Sequence, residues 1–276
     1  RSNYFSRFAG VAGKRMASIG FKFDLIGNTA ASTAPAWATL ANAAGIITTL
    51  AGTTNTLTPA SRWNPLDLSA SNDFDCLTMG FYTDGRYREI TGARPSSFKI
   101  VAEGGKPLRG EVEFIGAAAN DPSTVALLTG MTWETGTNTP PIFMSASLSL
   151  GGLATTEALV STFTLDFGLT TAMRDDANSA TGYRSAMVTD RKPTFAFDPE
   201  MTTIAEHDFY AILKAGTTAA LALAIGSSHN KIAIAAPATQ YVEMSEGERN
   251  GFLTAEMTCD LCRSSGNDEF TITLGT

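Results

Sequence analysis

Apolar and polar residues alternate along this chain in short blocks, and clusters of turn-forming residues separate the blocks. In TGARPSSFKIVAEGGKPLRGEVEFIGA, from Thr91 to Ala117, Phe98, Ile100 and Ala102 form one alternating set and Val112 and Phe114 a second, with Gly104, Gly105 and Pro107 between. A period of two sends successive side chains to opposite faces, so this stretch predicts a strand, a loop and a strand. The pattern recurs in FKFDLIG from Phe21, CLTMGFYT from Cys76, RYREI from Arg86, STFTLDFG from Ser161, PTFAFDP from Pro193, LALAIG from Leu221 and FTITLG from Phe270. Asp84 and Gly85 join two of these blocks as a tight hairpin turn, whose centre needs positive φ.

Two segments have helical spacing instead. APAWATLANAAGII from Ala34 carries Pro35 near its start, sets Trp37, Leu40, Ala41 and Ala44 on one stripe, and stops at Gly45. TIAEHDFYAILKAG opens with Thr203 and Glu206 at capping-box spacing and closes at Gly216. The expected fold is therefore mainly β: a β-sandwich or barrel with flanking α-helices. A length of 276 residues suits one large β domain or two ordinary ones. Matches that keep their order favour two, since FKFDL from Phe21 resembles FTLDF from Phe163 and EVEFIG from Glu111 resembles LALAIG from Leu221. Similar β domains are thus expected over 1–142, with an N-terminal arm, and over 143–276.

Two connections look long beside the usual length of about six residues. They are TTNTLTPASRWNPLDLSASNDFD from Thr53 and TGMTWETGTNTPP from Thr129, and their indoles, Trp63 and Trp133, predict loops that order by docking.

A net charge of -7 is the wrong sign for gripping phosphates and argues against sequence-reading DNA binding. It allows a surface past which DNA slides, because like charges repel. Charged residues make up only 17% of the chain, so Thr, Ser, Asn, Ala and Gly cover much of the surface, which suits packing against neighbours. No apolar run approaches about 18 residues and the N-terminal stretch lacks a secretory pattern, so neither a membrane span nor an export signal is expected. Arg1, Arg7, Lys14 and Arg15 form a modest basic arm.

The side chains that carry chemistry do not fall into a catalytic pattern. His207 reads as a helix-surface residue and His229 as a turn residue, and no G-x-S-x-G occurs. The carboxylate pairs Asp73 and Asp75, Asp175 and Asp176, and Glu246 and Glu248 read as solvated loop charges. Three cysteines argue against a disulfide framework and for a reducing site of synthesis. Cys259 and Cys262 lie in the alternating FLTAEMTCDLC, where they point to opposite strand faces and cannot easily share a metal ion. AGKRM from Ala12 and EGGKPLRG from Glu103 lack the strand-loop-helix setting of a phosphate loop. The expectation is a protein that is not an enzyme, with no catalytic residue, metal or cofactor.

The run GFYTDGRYREITGARPSSFKIVAEGGKPLRGEVEFIG resembles the tail tube proteins, or major tail proteins, of long-tailed bacteriophages. Thr91, Gly92, Ala93 and Arg94 stand at that family's turn, with Pro95 where a glycine is often found. PAWATLANAAG, VTDRKPTFAFDPE, LALAIGSSHNKIAIAAPATQY and ERNGF extend the likeness from about Phe21 to Leu261. The resemblance implies a β-sandwich whose inner sheet joins its neighbours' into a barrel, in rings stacked as a hollow conduit for DNA ejection. Three chains per ring are expected if the halves are duplicated domains, and six otherwise. Implied partners are further copies of the chain, tape measure and tail adaptor proteins, and genome DNA passing without sequence-specific binding. Its implied place is the virion tail, after synthesis in the host cytoplasm. Glu111 and Glu113, opposite Val112 and Phe114, are then candidates to face the lumen. Asn55, Arg62, Trp63 and Trp133 are candidates for contacts between rings. The alternatives are a tail completion or distal tail adaptor of the same fold, or a carbohydrate-binding β-sandwich.

Overall fold

The computed structural model describes residues 13–60, 75–123, 139–153 and 159–275. It is mainly β, and nearly every strand belongs to one large antiparallel sheet. In chain order the elements are β1 (Met16–Asp24), α1 (Trp37–Ala43), β2 (Ile46–Ala51), β3 (Thr54–Pro59), β4 (Leu77–Thr83), β5 (Arg86–Glu103), β6 (Arg109–Ser123), β7 (Ser147–Leu150), β8 (Val160–Asp166) and β9 (Leu169–Asp175). They continue with β10 (Tyr183–Arg191), β11 (Thr194–Pro199), α2 (Phe209–Ala215), β12 (Thr218–Ile225), β13 (Ile232–Arg249), β14 (Phe252–Cys262) and β15 (Thr271–Leu274).

The main path runs β1-β6-β5-β8-β11-β14-β13-β15-β3-β2, with β12 beside β13, β7 beside β12, and β4 beside β5. Alternation explains the layering. Phe98, Ile100, Phe163, Leu165, Phe195 and Cys259 all turn to one side of the β5-β8-β11-β14 region and are fully or almost fully buried. Leu57, Leu221, Leu223, Ile232, Ile234 and Ile272 fill the same hydrophobic cluster from the other arm of the path. β13 belongs to both arms: Ile232–Ala235 pair with β15, and the residues from Ala238 onward pair with β14. A bulge between Tyr241 and Glu243 leaves Val242 without a partner in the register and bends the strand.

The expected division at 142 is crossed by strand pairing, β5 with β8 and β3 with β15. The internal likeness does not map onto equivalent places either. β1 (FKFD) pairs with β6 (EVEFIG), whereas β8 (FTLD) lies between β5 and β11, and β12 (LALAI) lies between β7 and β13. Strands that alternate with the same period look alike wherever they sit in a sheet.

Both helices form, and both are short. α1 is anchored by Trp37, whose indole N–H donates to the Ile26 carbonyl at 2.8 Å, and the chain leaves it through Gly45 at φ 81°. α2 starts later than its sequence predicts. Asp208, not Thr203, is the cap, accepting from Ala211 N at 2.9 Å. Thr203 and Glu206 close a separate turn, with Glu206 accepting from Thr203 N at 3.2 Å and its hydroxyl at 3.0 Å. Gly216 at φ 62° ends the helix as expected.

The long loop expected from Thr53 begins instead as β3, in which Asn55, Leu57 and Pro59 are buried and the threonines between them are not. Glu246 and Glu248, expected in a loop, lie on the last turn-ward stretch of β13.

Candidate functional site

The face of the sheet opposite the core is a polar surface built by register. Lys22 of β1 lies across from Glu111, Glu111 from Lys99, and Lys99 from Asp166. The row continues through Thr194 and Asp260 to Gln240. Its charges alternate over the first strands, and two pairs close: Lys22 with Glu111 at 2.5 Å and Lys99 with Asp166 at 2.9 Å. Cross-strand pairs of opposite charge stabilise a sheet modestly.

Toward β14 and β13 the cations stop and the carboxylates continue. Glu243 lies across from Thr258, and Ser245 from Glu256, over a shallow recess also lined by Thr162, Thr164 and Asp198. Asp198 is committed to structure. It accepts from Ser161 N at 2.8 Å and Thr162 N at 2.6 Å, and it pairs with Arg249 at 2.8 Å. Arg249 also reaches Glu200 at 3.0 Å and the Leu159 carbonyl at 2.7 Å, tying the β13–β14 hairpin to the start of β8 and the end of β11.

Glu111 and Glu113 lie on this polar face, with Val112 and Phe114 buried behind them. They differ in setting. Glu111 is half-buried against Lys22, whereas Glu113 is exposed between Gly20 and Ser97. Asp260, Glu243 and Glu256 join the same surface and were missed in the sequence. Their signal is the alternation of FLTAEMTCDLC and the stretch before it, once β13 and β14 are known to pair.

Asn55 is not a loop residue available to a neighbour. It is buried in β3, and its amide donates to Asn28 Oδ1 at 3.0 Å. Arg62, Trp63 and Trp133 lie outside the described residues, as does most of the N-terminal arm.

Both lateral edges of the polar-faced sheet are open among the described residues. β1 pairs only with β6, and beyond Tyr241 β13 pairs only with β14.

Elsewhere, His207 is a core residue rather than a helix-surface one. Its Nε2 lies 3.2 Å from Tyr241 Oη, and its ring meets Phe209 edge-on at 4.5 Å. It precedes α2, so the chain turns inward where the sequence predicts an outward helical face. His229 is exposed in a short turn. Cys259 is buried and Cys262 half-buried on opposite faces of β14. Burial pushes the Cys259 thiol up to about 12 and raises the Tyr241 hydroxyl as well, so both stay protonated at neutral pH.

Among the described residues no group of three or more His, Cys, Asp or Glu is placed to hold a metal ion, and no helix is long and apolar enough to cross a membrane. The sequence matches no protein-family model and no curated protein.

Proposed function

We propose that this chain is a structural subunit of a bacteriophage tail tube, polymerising as stacked rings around a lumen through which DNA leaves the particle. One observation carries the reading: a sheet with its core on one face and a polar, largely acidic surface on the other is open, among the described residues, along both edges, β1 and the end of β13. An exposed edge invites pairing with another strand, and closing edges into a barrel removes the hazard. Joining β1 of one copy to β13 of the next places Glu113, Asp260 and Glu243 inside, where their charge keeps DNA sliding rather than bound.

In this reading the chain catalyses nothing and needs no cofactor. Its partners are other copies of itself, a tape measure protein in the lumen before ejection and an adaptor at the end of the tube. It is made in the host cytoplasm and resides in the virion tail. Two similar domains in each chain would give rings of three, and one domain in each chain gives rings of six.

Negative-stain microscopy of the purified protein tests the proposal. Long hollow tubes wide enough for duplex DNA support it. Isolated rings that never stack point to a tail completion or distal adaptor role, and a monomer that binds or cleaves glycans overturns the structural reading.

A further inference from the structure

The sheet contains one strand arrangement twice. In the first, β4 and β5 form a hairpin, β6 pairs with the other side of β5, and β1, which leads to α1, pairs with β6. In the second, β12 and β13 form the hairpin, β14 pairs with the other side of β13, and β11, which leads to α2, pairs with β14. β5 and β13 each have 18 residues, and α1 and α2 each have 7. The counterpart of β1 is therefore β11, not the β8 that resembles it in sequence.

One position is filled in the first arrangement and open in the second. β4 covers the first half of β5, and β8 covers 99–103 beyond it. β12 covers 232–240 of β13 in the same way, but 242–249 have no strand on that side among the described residues. β8 lies between β5 and β11, so its counterpart belongs between β13 of one copy and β1 of the next. In chain order β8 precedes β11, with the β9–β10 hairpin inserted between Gly168 and Lys192, where Lys192 N donates to the Gly168 carbonyl at 2.9 Å. The counterpart of β8 must likewise precede β1.

The packing of β1 calls for the same strand. Phe195 and Phe197 of β11 are buried, at 0% and 3%, with Phe163 of β8 stacked 5.6 Å from Phe195. Phe21 and Phe23 of β1 stay half-buried in an apolar groove shared with Ile26, Trp37 and Leu40. The sequence ahead of β1, which lies outside the described residues, offers Tyr4, Phe5 and Phe8, followed by Gly10 and Gly13 as turn residues.

Strand direction points the same way. Six antiparallel pairings lead from β1 to β13, so these two strands run in one direction. Rotation about a ring axis preserves direction, so β1 set directly against the next copy's β13 would pair parallel to it. One further strand makes the count even and every pairing antiparallel, which a short hairpin turn allows and a parallel neighbour would not.

We infer that residues 3–9 form this strand. The arm folds back on its own β1, covers Phe21 and Phe23, and offers its outer edge to 242–249 of the neighbouring copy. The inference rests on the tube reading, whose two open edges it joins. Chain order, the aromatic complement and the even strand count select the arm rather than an unrelated strand.

Proline substitution tests the pairing itself. Successive N–H groups of a strand face opposite neighbours, so Ser6→Pro with Arg7→Pro removes one donor toward each while keeping Tyr4, Phe5 and Phe8. The pair should raise the concentration needed for ring formation about tenfold or more, whereas Ser6→Ala with Arg7→Ala should change it by less than about twofold. Removing residues 1–12 should leave a folded monomer by circular dichroism and abolish rings by sedimentation velocity. Where that removal unfolds the chain, the proline pair decides. Hydrogen exchange read by mass spectrometry supplies the second measurement: in wild-type rings the amides of 4–8 and 242–248 should both be protected, and the proline pair should lose both. Tubes that form as readily without residues 1–12, or in which 4–8 exchange freely, overturn the inference and leave the tube reading standing. A wild-type chain that forms no rings yet protects 4–8 overturns the tube reading and leaves the arm strand on β1 standing. Absent rings together with a freely exchanging arm overturn both.

Discussion

The Asn55 side-chain amide donates to Asn28 Oδ1 at 3.0 Å, with both residues buried. Asn28 in turn donates to the carbonyls of Leu274 at 3.0 Å and Thr53 at 3.2 Å. The C-terminal strand β15 is thereby fastened to β3 and to the chain just past β1. Asn55→Ala removes this buried hydrogen bond and should destabilise the fold by about 2 kcal/mol. The measurement is a urea melt, in which the midpoint falls while the slope stays fixed.

Glycine at 168 answers to a different constraint. Its φ is 58°, and an added Cβ would sit 1.8 Å from the Lys192 carbonyl oxygen, a backbone atom that cannot step aside. Gly168→Ala should cost roughly 3 kcal/mol or more, combining strain with the shift of the β10–β11 connection. Gly52 has φ 64° with open space around it, so Gly52→Ala should cost only about 1 kcal/mol. Equal losses from the two would show that the close approach at Lys192 is not felt.

The strand pattern around Glu111 was legible because period-two alternation with one face buried leaves little freedom of register. Cys259 and Cys262 were placed on opposite faces by the same rule. Alternation does not say which strand lies beside which, so Asp260 and Glu243 could not be joined to Glu111 before the path β5-β8-β11-β14-β13 was known. Asn55 was misplaced because β3 offers Leu57 as its main apolar signal between polar neighbours. His207 was misread because a histidine beside acidic residues looks solvated, and only the packing of Tyr241 and Phe209 draws it inward.

Stability should fall in alkali. Cys259 has an ordinary value of 9.0 and is pushed up to about 12 by burial, so between those values the unfolded chain gives up a proton that the folded chain keeps. The unfolded state then binds fewer protons, and stability declines as pH rises. Tyr241 is shifted in the same direction by burial and adds to the decline. Urea melts from pH 8 to pH 11 should show a steady loss that is shallower in Cys259→Ala, despite that variant's lower stability at pH 8. At pH 8 a thiol reagent should label exposed Cys76 quickly and Cys259 only on unfolding.

Reversing charge on the polar face separates its two halves. Glu111 sits between Lys22 and Lys99, so Glu111→Lys sets three ammonium groups on neighbouring strands and should cost about 1 kcal/mol or more of stability. Glu113 and Glu243 are exposed and have no lysine across from them in register, so Glu113→Lys with Glu243→Lys should leave folding and assembly intact. In the proposed tube those changes convert a repelling wall into one that holds phosphates, so assembled variant tubes should retain duplex DNA that wild-type tubes release. The retention should weaken steeply as salt rises, because it depends on counterion release. Tubes that assemble yet bind DNA no better than wild type would show that this face does not line the lumen.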